Sequence, residues 1–325
     1  MTNALNIRQM THAEVNELVH WAQLEGWNPG LHDAELFWTN DPDAFIAAEL
    51  NGELIGGGAI TSYSGEYGFM GFFIVRPEFR GLGLGDQIWR ARRERLLARL
   101  RPGATIGLDG VFTMQDYYAR GGFAFSHRNV RFRGEFGAKL GQRSGQRLDH
   151  DRGVASDGTS DCAQVVNANT AAASHVQDDS HSSTLMPLTE IPFDSLLAYD
   201  RTCFPAPRPG FLKGWITQQD GLALGLLRDG ALSGFGVTRR CVEGYKIGPL
   251  FTDDAEAAQT LFTPLAAFAG DHPIFIDAPE NNPAALALVQ RHGMVEVFGC
   301  ARMYLGAVPD IAHQQIFGVT SFELG

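Results

Sequence analysis

The spacing of apolar and polar positions changes along the chain, and each change marks an element. Residues 5–10 read as a strand. Thr11-His-Ala-Glu14 is a capping box: the Thr oxygen accepts from the amide three residues on, and the Glu side chain reaches back. Val15, Leu18, Val19 and Ala22 then follow at helical spacing until Gly26-Trp-Asn-Pro-Gly30 breaks the pattern. Residues 33–38 predict a second, short helix. Residues 45–50 and 54–63 read as strands joined by Asn51-Gly52, a strong hairpin signal. The apolar run 72–75 reads as a buried strand, ended by Pro77, which has no N–H to offer a ladder. A long helix follows. Its apolar side carries Ile88, Trp89, Leu96, Leu97 and Leu100, and Arg90, Arg92, Arg93, Glu94 and Arg99 are assigned to water. Residues 105–109 predict a strand, 114–120 a helix ending at Gly121-Gly122, and 123–132 a strand that closes the sheet.

The order then repeats. Residues 221–227, Asp229-Gly230 and 231–239 are again strand, hairpin turn, strand. Residues 245–251 take the place of the central strand and 255–269 that of the long helix. Residues 273–277 end in Asp277 as 105–109 end in Asp109, and Asn282 opens a helix closed by Gly293-Met294. A shared element order with Asp at matching strand ends points to a tandem duplication. Between the copies, residues 137–184 contain no Phe, Trp or Tyr and are rich in Asp, Ser, Gly, Ala, Asn and His. Such a composition buries too little apolar area to offset the entropy of ordering. The expected organisation is a first domain over 1–136, a disordered linker over 137–184 and a second domain over 185–325.

Composition narrows the function. At 325 residues, 44 % hydrophobic, the chain is long for one core, and two domains are the prior. A formal net charge of −11 argues against a general nucleic-acid binder or a binder of anionic membranes. The arginines at 76, 80, 90, 92, 93, 95, 99 and 101 form a local exception, most of which reads as a solvated helix face. Cys162, Cys203, Cys241 and Cys300 form no CxxC pair and no zinc spacing. The N-terminal residues hold no apolar signal region, and no 18-residue apolar run occurs. These features predict a reduced, cytoplasmic, metal-free protein.

Chemistry concentrates in Arg80-Gly-Leu-Gly-Leu-Gly85, between the apolar strand and the long helix. The first amides of a helix have no intrahelical partners, its dipole favours an anion, and glycines let a phosphate approach the backbone. A Walker A loop needs Gly-Lys-Ser/Thr, and Gly85-Asp86-Gln87 lacks it. A GxGxxG dinucleotide fingerprint fails at Asp86 or Ile88, depending on its start. Arg80-x-x-Gly83-x-Gly85 matches the (Q/R)xxGx(G/A) pattern, and with its strand and helix it resembles the GNAT acetyltransferase superfamily. Tyr118-Ala-Arg-Gly-Gly122-Phe123 resembles the Tyr-x-x-x-Gly-Phe of that superfamily's fourth motif. Phe204-Pro-Ala-Pro-Arg208, Lys246-Ile-Gly-Pro-Leu250 and the stretches 302–306 and 317–325 look like the tandem, YitH-like branch.

The resemblance implies an α/β (α+β) fold of two tandem units, each a mixed, splayed sheet flanked by helices. It implies acetyl-CoA as co-substrate and a primary amine, favoured as a small molecule, as acceptor. Backbone groups of Phe73, Ile74 and Val75 would pair with pantetheine. Arg80, Gly81, Leu82, Gly83, Leu84, Gly85 and Asp86 would bound the pyrophosphate. Tyr118 would protonate the departing thiolate, since an ordinary Tyr, with a pKa near 10, keeps its proton at neutral pH. Tyr117 beside it leaves the register open. The acceptor must first lose a proton, and Asp109 or Glu66 is the nearest acid, with a structural loop role for Asp109 weighed against it. The superfamily often has Asn where this chain has Val111. Trp27 and Trp38 are candidate walls of the acceptor pocket. The second copy lacks the loop, having Gly248-Pro249 and Asp253-Asp254, and has Val289 in place of Tyr118. A non-catalytic acyl-CoA sensor and a protein-lysine acetyltransferase are the competing readings.

Overall fold

The computed structural model describes residues 5–136 and 183–325. The first half runs β1 (Leu5–Gln9), α1 (His12–Leu24), α2 (Asp33–Asn40), β2 (Phe45–Leu50), β3 (Glu53–Tyr63), β4 (Tyr67–Val75), α3 (Leu84–Ala98), β5 (Thr105–Val111), α4 (Gln115–Arg120) and β6 (Ala124–Gly134). The second repeats this order: β7 (Ser183–Pro187), α5 (Phe193–Cys203), α6 (Pro209–Ile216), β8 (Gly221–Arg228), β9 (Ala231–Arg240), β10 (Tyr245–Thr252), α7 (Ala255–Ala267), β11 (Ile274–Pro279), α8 (Pro283–Arg291) and β12 (Val295–Leu305). One further strand, β13 (Ile316–Gly318), follows. The expected linker falls largely outside the described residues, but its last two positions, Ser183 and Thr184, already belong to β7.

All these strands form one sheet, in the order β1-β2-β3-β4-β5-β12-β6-β11-β10-β9-β8-β7, with β13 on β10. The two halves have therefore exchanged their last strands. β6 does not close the first sheet; it lies between β12 and β11, and β12 takes the place beside β5. Matched ion pairs cross both new strand borders. Arg302 of β12 faces Asp109 of β5 through bonds of 2.9 and 2.6 Å. Arg131 of β6 faces Asp277 of β11 through bonds of 2.6 and 2.8 Å. Both pairs are buried, where losing one partner strands a charge at a cost of roughly 3–5 kcal/mol, so they fix register more than they add stability. A third buried pair, Asp33 of α2 with Arg239 of β9, ties the halves from another side at 3.0 Å.

Capping and hairpin signals are realised as expected. Thr11 and Glu14 form the reciprocal box of α1, and Asn51 and Gly52 both adopt positive φ between β2 and β3. The long helix differs from its expected faces. Arg92, assigned to water, is fully buried, and Leu97, assigned to the core, is 46 % exposed. Arg92 is accommodated because β3 offers Gly58, where a Cβ would lie 2.4 Å from its guanidinium carbon. Arg99 is also drawn from solvent, onto Asp41 at 2.6 and 2.7 Å. Among the described residues no helix is long and apolar enough to cross a membrane.

Candidate active site

The site begins where two parallel strands separate. β4 pairs with β5 only over Tyr67 to Phe69, against Thr105 to Gly107. Beyond that the register of β4 on β3 shifts, and Phe72 takes a positive φ of 51°. Arg92 holds this bulge from below: its Nη2 donates to the carbonyls of Ala59 and Gly71 at 2.7 and 2.5 Å. Burial lowers the Arg92 pKa to about 10, which leaves it charged at neutral pH. The gap so opened is a cleft of about 490 Å³, lined along one side by Met70 to Val75 and along the other by Leu108 and Asp109.

The glycine loop stands at one end. Gly81 and Gly83 have φ of 76° and 74°, a region that favours glycine, and a Cβ on either meets nothing within 4 Å. The space above the loop is thus open. Gly83 caps α3 without a side-chain hydrogen bond, so the first amides of the helix face that space without a capping partner. Leu82 and Leu84 flank Gly83, and Leu82 is exposed. Arg80 braces the loop rather than reaching over it: Nε donates to the Val75 carbonyl at 2.7 Å and Nη2 pairs with Glu25. Asp86 turns aside to accept the Tyr117 hydroxyl at 2.7 Å.

Tyr118 and Tyr117 both line the cleft, and their partners differ. Tyr117 is committed to Asp86. Tyr118 is wedged against Trp89, with ring centroids 5.0 Å apart, and against Gly110, where a Cβ would lie 2.5 Å from its ring. Burial pushes the Tyr118 hydroxyl up to about 12. It holds its proton firmly at neutral pH.

The candidate acids divide. Asp109 borders the cleft, but Arg302 engages both of its oxygens and Asn129 donates to Oδ1 at 2.9 Å. Glu66 does not reach the cleft; it pairs with Arg101 at 3.1 Å at the opposite end of β4. Trp27 lines the cleft, whereas Trp38 stacks on His12 instead. Sequence reasoning missed Phe298, Cys300, Phe322 and Glu323, which the second half contributes. The available signal was the apolar, Glu-bearing stretch 317–325, a segment with no counterpart in the first copy.

The second half opens in the same way and is then filled. β10 pairs with β11 over Tyr245 to Ile247, and its register on β9 shifts after Ile247. β13 occupies the gap, pairing Leu250 with Gly318 and Phe251 with Ile316, and the Val319 amide donates to the Asp277 carbonyl at 2.9 Å. Asn282 anchors this insert by donating to the carbonyls of Gln314 and Ile316 at 3.0 and 2.9 Å. Asp254 caps α7 by accepting from the Ala257 amide at 2.8 Å, so an acid already occupies the anion position.

A splayed parallel strand pair, a bulge and a glycine-capped helix, each with a degenerate twin, define an acyltransferase fold of the GNAT type. The comparisons agree. Residues 12–123 match the acetyltransferase (GNAT) family and residues 196–318 match an acetyltransferase (GNAT) domain. An acetyltransferase of Photorhabdus laumondii is 32 % identical over 99 residues, 29 % of this chain and 68 % of that protein. The chain belongs to the GNAT acetyltransferase family, as a member with two tandem units. The holothin acyltransferase of a Pseudoalteromonas species is 26 % identical over 314 residues, covering 96 % of this chain and 90 % of that one. A crystal structure described as a candidate acetyltransferase of Pyrococcus horikoshii shares the fold with a TM-score of 0.72 at 20 % identity, over 99 % of this chain and 96 % of that one. A tandem GNAT protein of the clavulanic acid pathway does so at 0.56 and 13 % identity, over 94 % and 99 %.

Proposed function

We propose that the chain is an acetyl-CoA-dependent N-acetyltransferase of a small primary amine, working in the cleft between β4 and β5. The observation that carries this reading is the open splay of the first half, with free loop amides at one end and the buried Tyr118 hydroxyl within it. The residues fit the group. The space over Gly81 and Gly83 takes a phosphate, and among the described residues the edge of β4 beyond Phe69 has no partner strand on the β5 side. Amides of Leu82, Gly83, Leu84, Gly85 and Asp86 hold the pyrophosphate, and backbone groups of Phe73 and Ile74 pair with pantetheine. Val75 contributes through its position, since its carbonyl accepts from Arg80.

Acetyl-CoA, when bound, supplies the acetyl group as a thioester. The β4 edge orients that carbonyl and offers a donor to its oxygen. Tyr118 keeps a proton on Oη and delivers it to the leaving sulfur late in the reaction. Holding both reactants in one cleft replaces a chance encounter with a positioned one. Acyltransferase relatives favour a small-molecule acceptor over a peptide.

A calorimetric titration with acetyl-CoA tests the reading. One site per chain is expected. Two sites would mean that the filled opening of the second half also binds, and no heat up to millimolar cofactor overturns the proposal.

A further inference from the structure

The final segment leaves β13 and crosses from the second half into the cleft of the first. It passes so close over β4 that a Cβ on Gly71 would sit 1.7 Å from the Glu323 carbonyl oxygen. This brings Phe322 and Glu323 to the cleft wall. The other acids along that wall have partners: Glu25 with Arg80, Asp86 with Tyr117, Asp109 with Arg302. Glu323 is 2 % exposed, and its Oε2 has no hydrogen-bond partner among the described residues.

Around Glu323 lies a buried layer of charge. Arg131 of β6 is bound to Asp277 of β11, and Arg239 of β9 to Asp33 of α2. Those two pairs cancel. Lys246 of β10 remains, donating to the Asn28 carbonyl at 3.0 Å, with the Cys241 and Cys300 thiols nearby. Charge balance then sets Glu323 against Lys246. Burial pushes the Glu323 carboxyl up, and the Lys246 and Arg131 charges only partly offset it. A carboxylate whose pKa is raised is a better proton acceptor than an ordinary one.

The wall beside Glu323 is aromatic. Trp27 meets Phe72 with centroids 6.5 Å apart, and Phe298 meets Phe322 at 6.1 Å. The Arg131 guanidinium lies over Phe298 and Phe322 at 5.5 and 4.9 Å, fixing both rings. A flat apolar body packs ring against ring on this wall and buries its whole surface, which a thin aliphatic chain does not match.

We infer that Glu323 takes the proton from an acceptor ammonium whose body is flat and apolar, seated among Trp27, Phe72, Phe298 and Phe322. This rests on the proposed acetyl transfer. The ammonium and the Glu323 carboxylate become amine and carboxylic acid. As the nitrogen–carbon bond forms and the carbon–sulfur bond breaks, Tyr118 protonates the sulfur, and the nitrogen's second proton returns to Tyr118. Glu323 then releases its proton to solvent. Glu323 is thus a catalytic residue supplied to the first half by the second.

Tryptamine and putrescine are the probes, with wild type, E323Q and E323D compared across pH by thiol release. Expected are a kcat/KM for tryptamine about 10-fold or more above that for putrescine, and a loss of about 100-fold in kcat for E323Q, with partial recovery in E323D. The acidic limb of the pH profile disappears in E323Q. Calorimetry of tryptamine binding in buffers of different ionisation enthalpy reads the Glu323 carboxyl without turnover: at pH values where that carboxyl is protonated, the arriving ammonium displaces its proton into the buffer in wild type, and E323Q shows no such release. Acetyl-CoA affinity stays unchanged in both variants. A preference for putrescine, an absence of tryptamine turnover, or a pH limb that persists in E323Q overturns the inference while acetyl-CoA still binds. Failure of the wild type to bind acetyl-CoA fells the underlying reading as well.

Discussion

β4 and β5 stay paired from Tyr67 to Phe69, β10 and β11 from Tyr245 to Ile247, and each couple then parts at a register shift. In the first half the gap is a cleft. In the second it is solid, because β13 pairs where a ligand's backbone-like chain would otherwise lie, and Asn282 pins that insert. The helix starts differ in the same sense: Gly83 leaves its helix amides open, whereas Asp254 satisfies one internally. Within one architecture, an open cleft and a filled core differ by one short strand and one capping residue.

The largest effect tests whether the halves are separable at all. Residues 1–136 alone leave β5 without β12, and 183–325 alone leave β11 without β6. Either fragment expressed singly is expected to bind no acetyl-CoA and to aggregate through its exposed edge, while co-expression restores a soluble, binding complex. A monomeric, binding 1–136 fragment would remove the strand exchange from the argument. The next effect concerns the open gap. Gly85 sits in the first turn of α3, where a Cβ would only touch Phe73 and Val75 at 3.9 Å. Gly85→Glu therefore keeps the fold and places a negative charge at the loop, weakening acetyl-CoA binding about 100-fold, near 3 kcal/mol. Unchanged affinity in calorimetry would place the pyrophosphate elsewhere.

Tyr118→Phe sharpens the chemical side of the comparison, since Val289 stands at the matching place in the filled half. Turnover is expected to fall about 100-fold with cofactor affinity held; equal kcat would take Tyr118 out of the proton path. The smallest effect is on the filled gap. Asn282→Ala removes the α8 cap and strands two carbonyls of the insert, lowering stability by about 2 kcal/mol in urea unfolding. The open cleft keeps its affinity. A loss of acetyl-CoA binding in that variant would show that the two gaps are coupled.

The glycine loop, the Asn51-Gly52 and Asp229-Gly230 hairpins, the Thr11 box and the duplication itself were legible, because each is written in neighbouring residues. The strand exchange was not. An alternating stretch such as β6 states that it is a strand and which face is apolar, and says nothing about its partner. The ion pairs gave no clue either: Asp109 and Asp277 recur at matching strand ends and so do Arg302 and Arg131, so either Asp would suit either Arg. Arg92 was misplaced because charge was read as exposure, while Gly58, which makes room for it, lies on β3, distant in sequence from the helix. Glu323 sits more than 200 residues from the loop it works beside, and only the fold brings them together.

The exchange also sets a timetable for biosynthesis. Val111 pairs with Cys300, which follows 189 positions later, the difference between 300 and 111. At translation rates of about 5–20 residues per second, the β5 edge waits roughly 10–40 s for its partner. The first half cannot finish folding as it leaves the ribosome, although every residue of its glycine loop has already emerged. The cleft is walled only once β12 has been made, so a product terminated before it carries the loop without that wall.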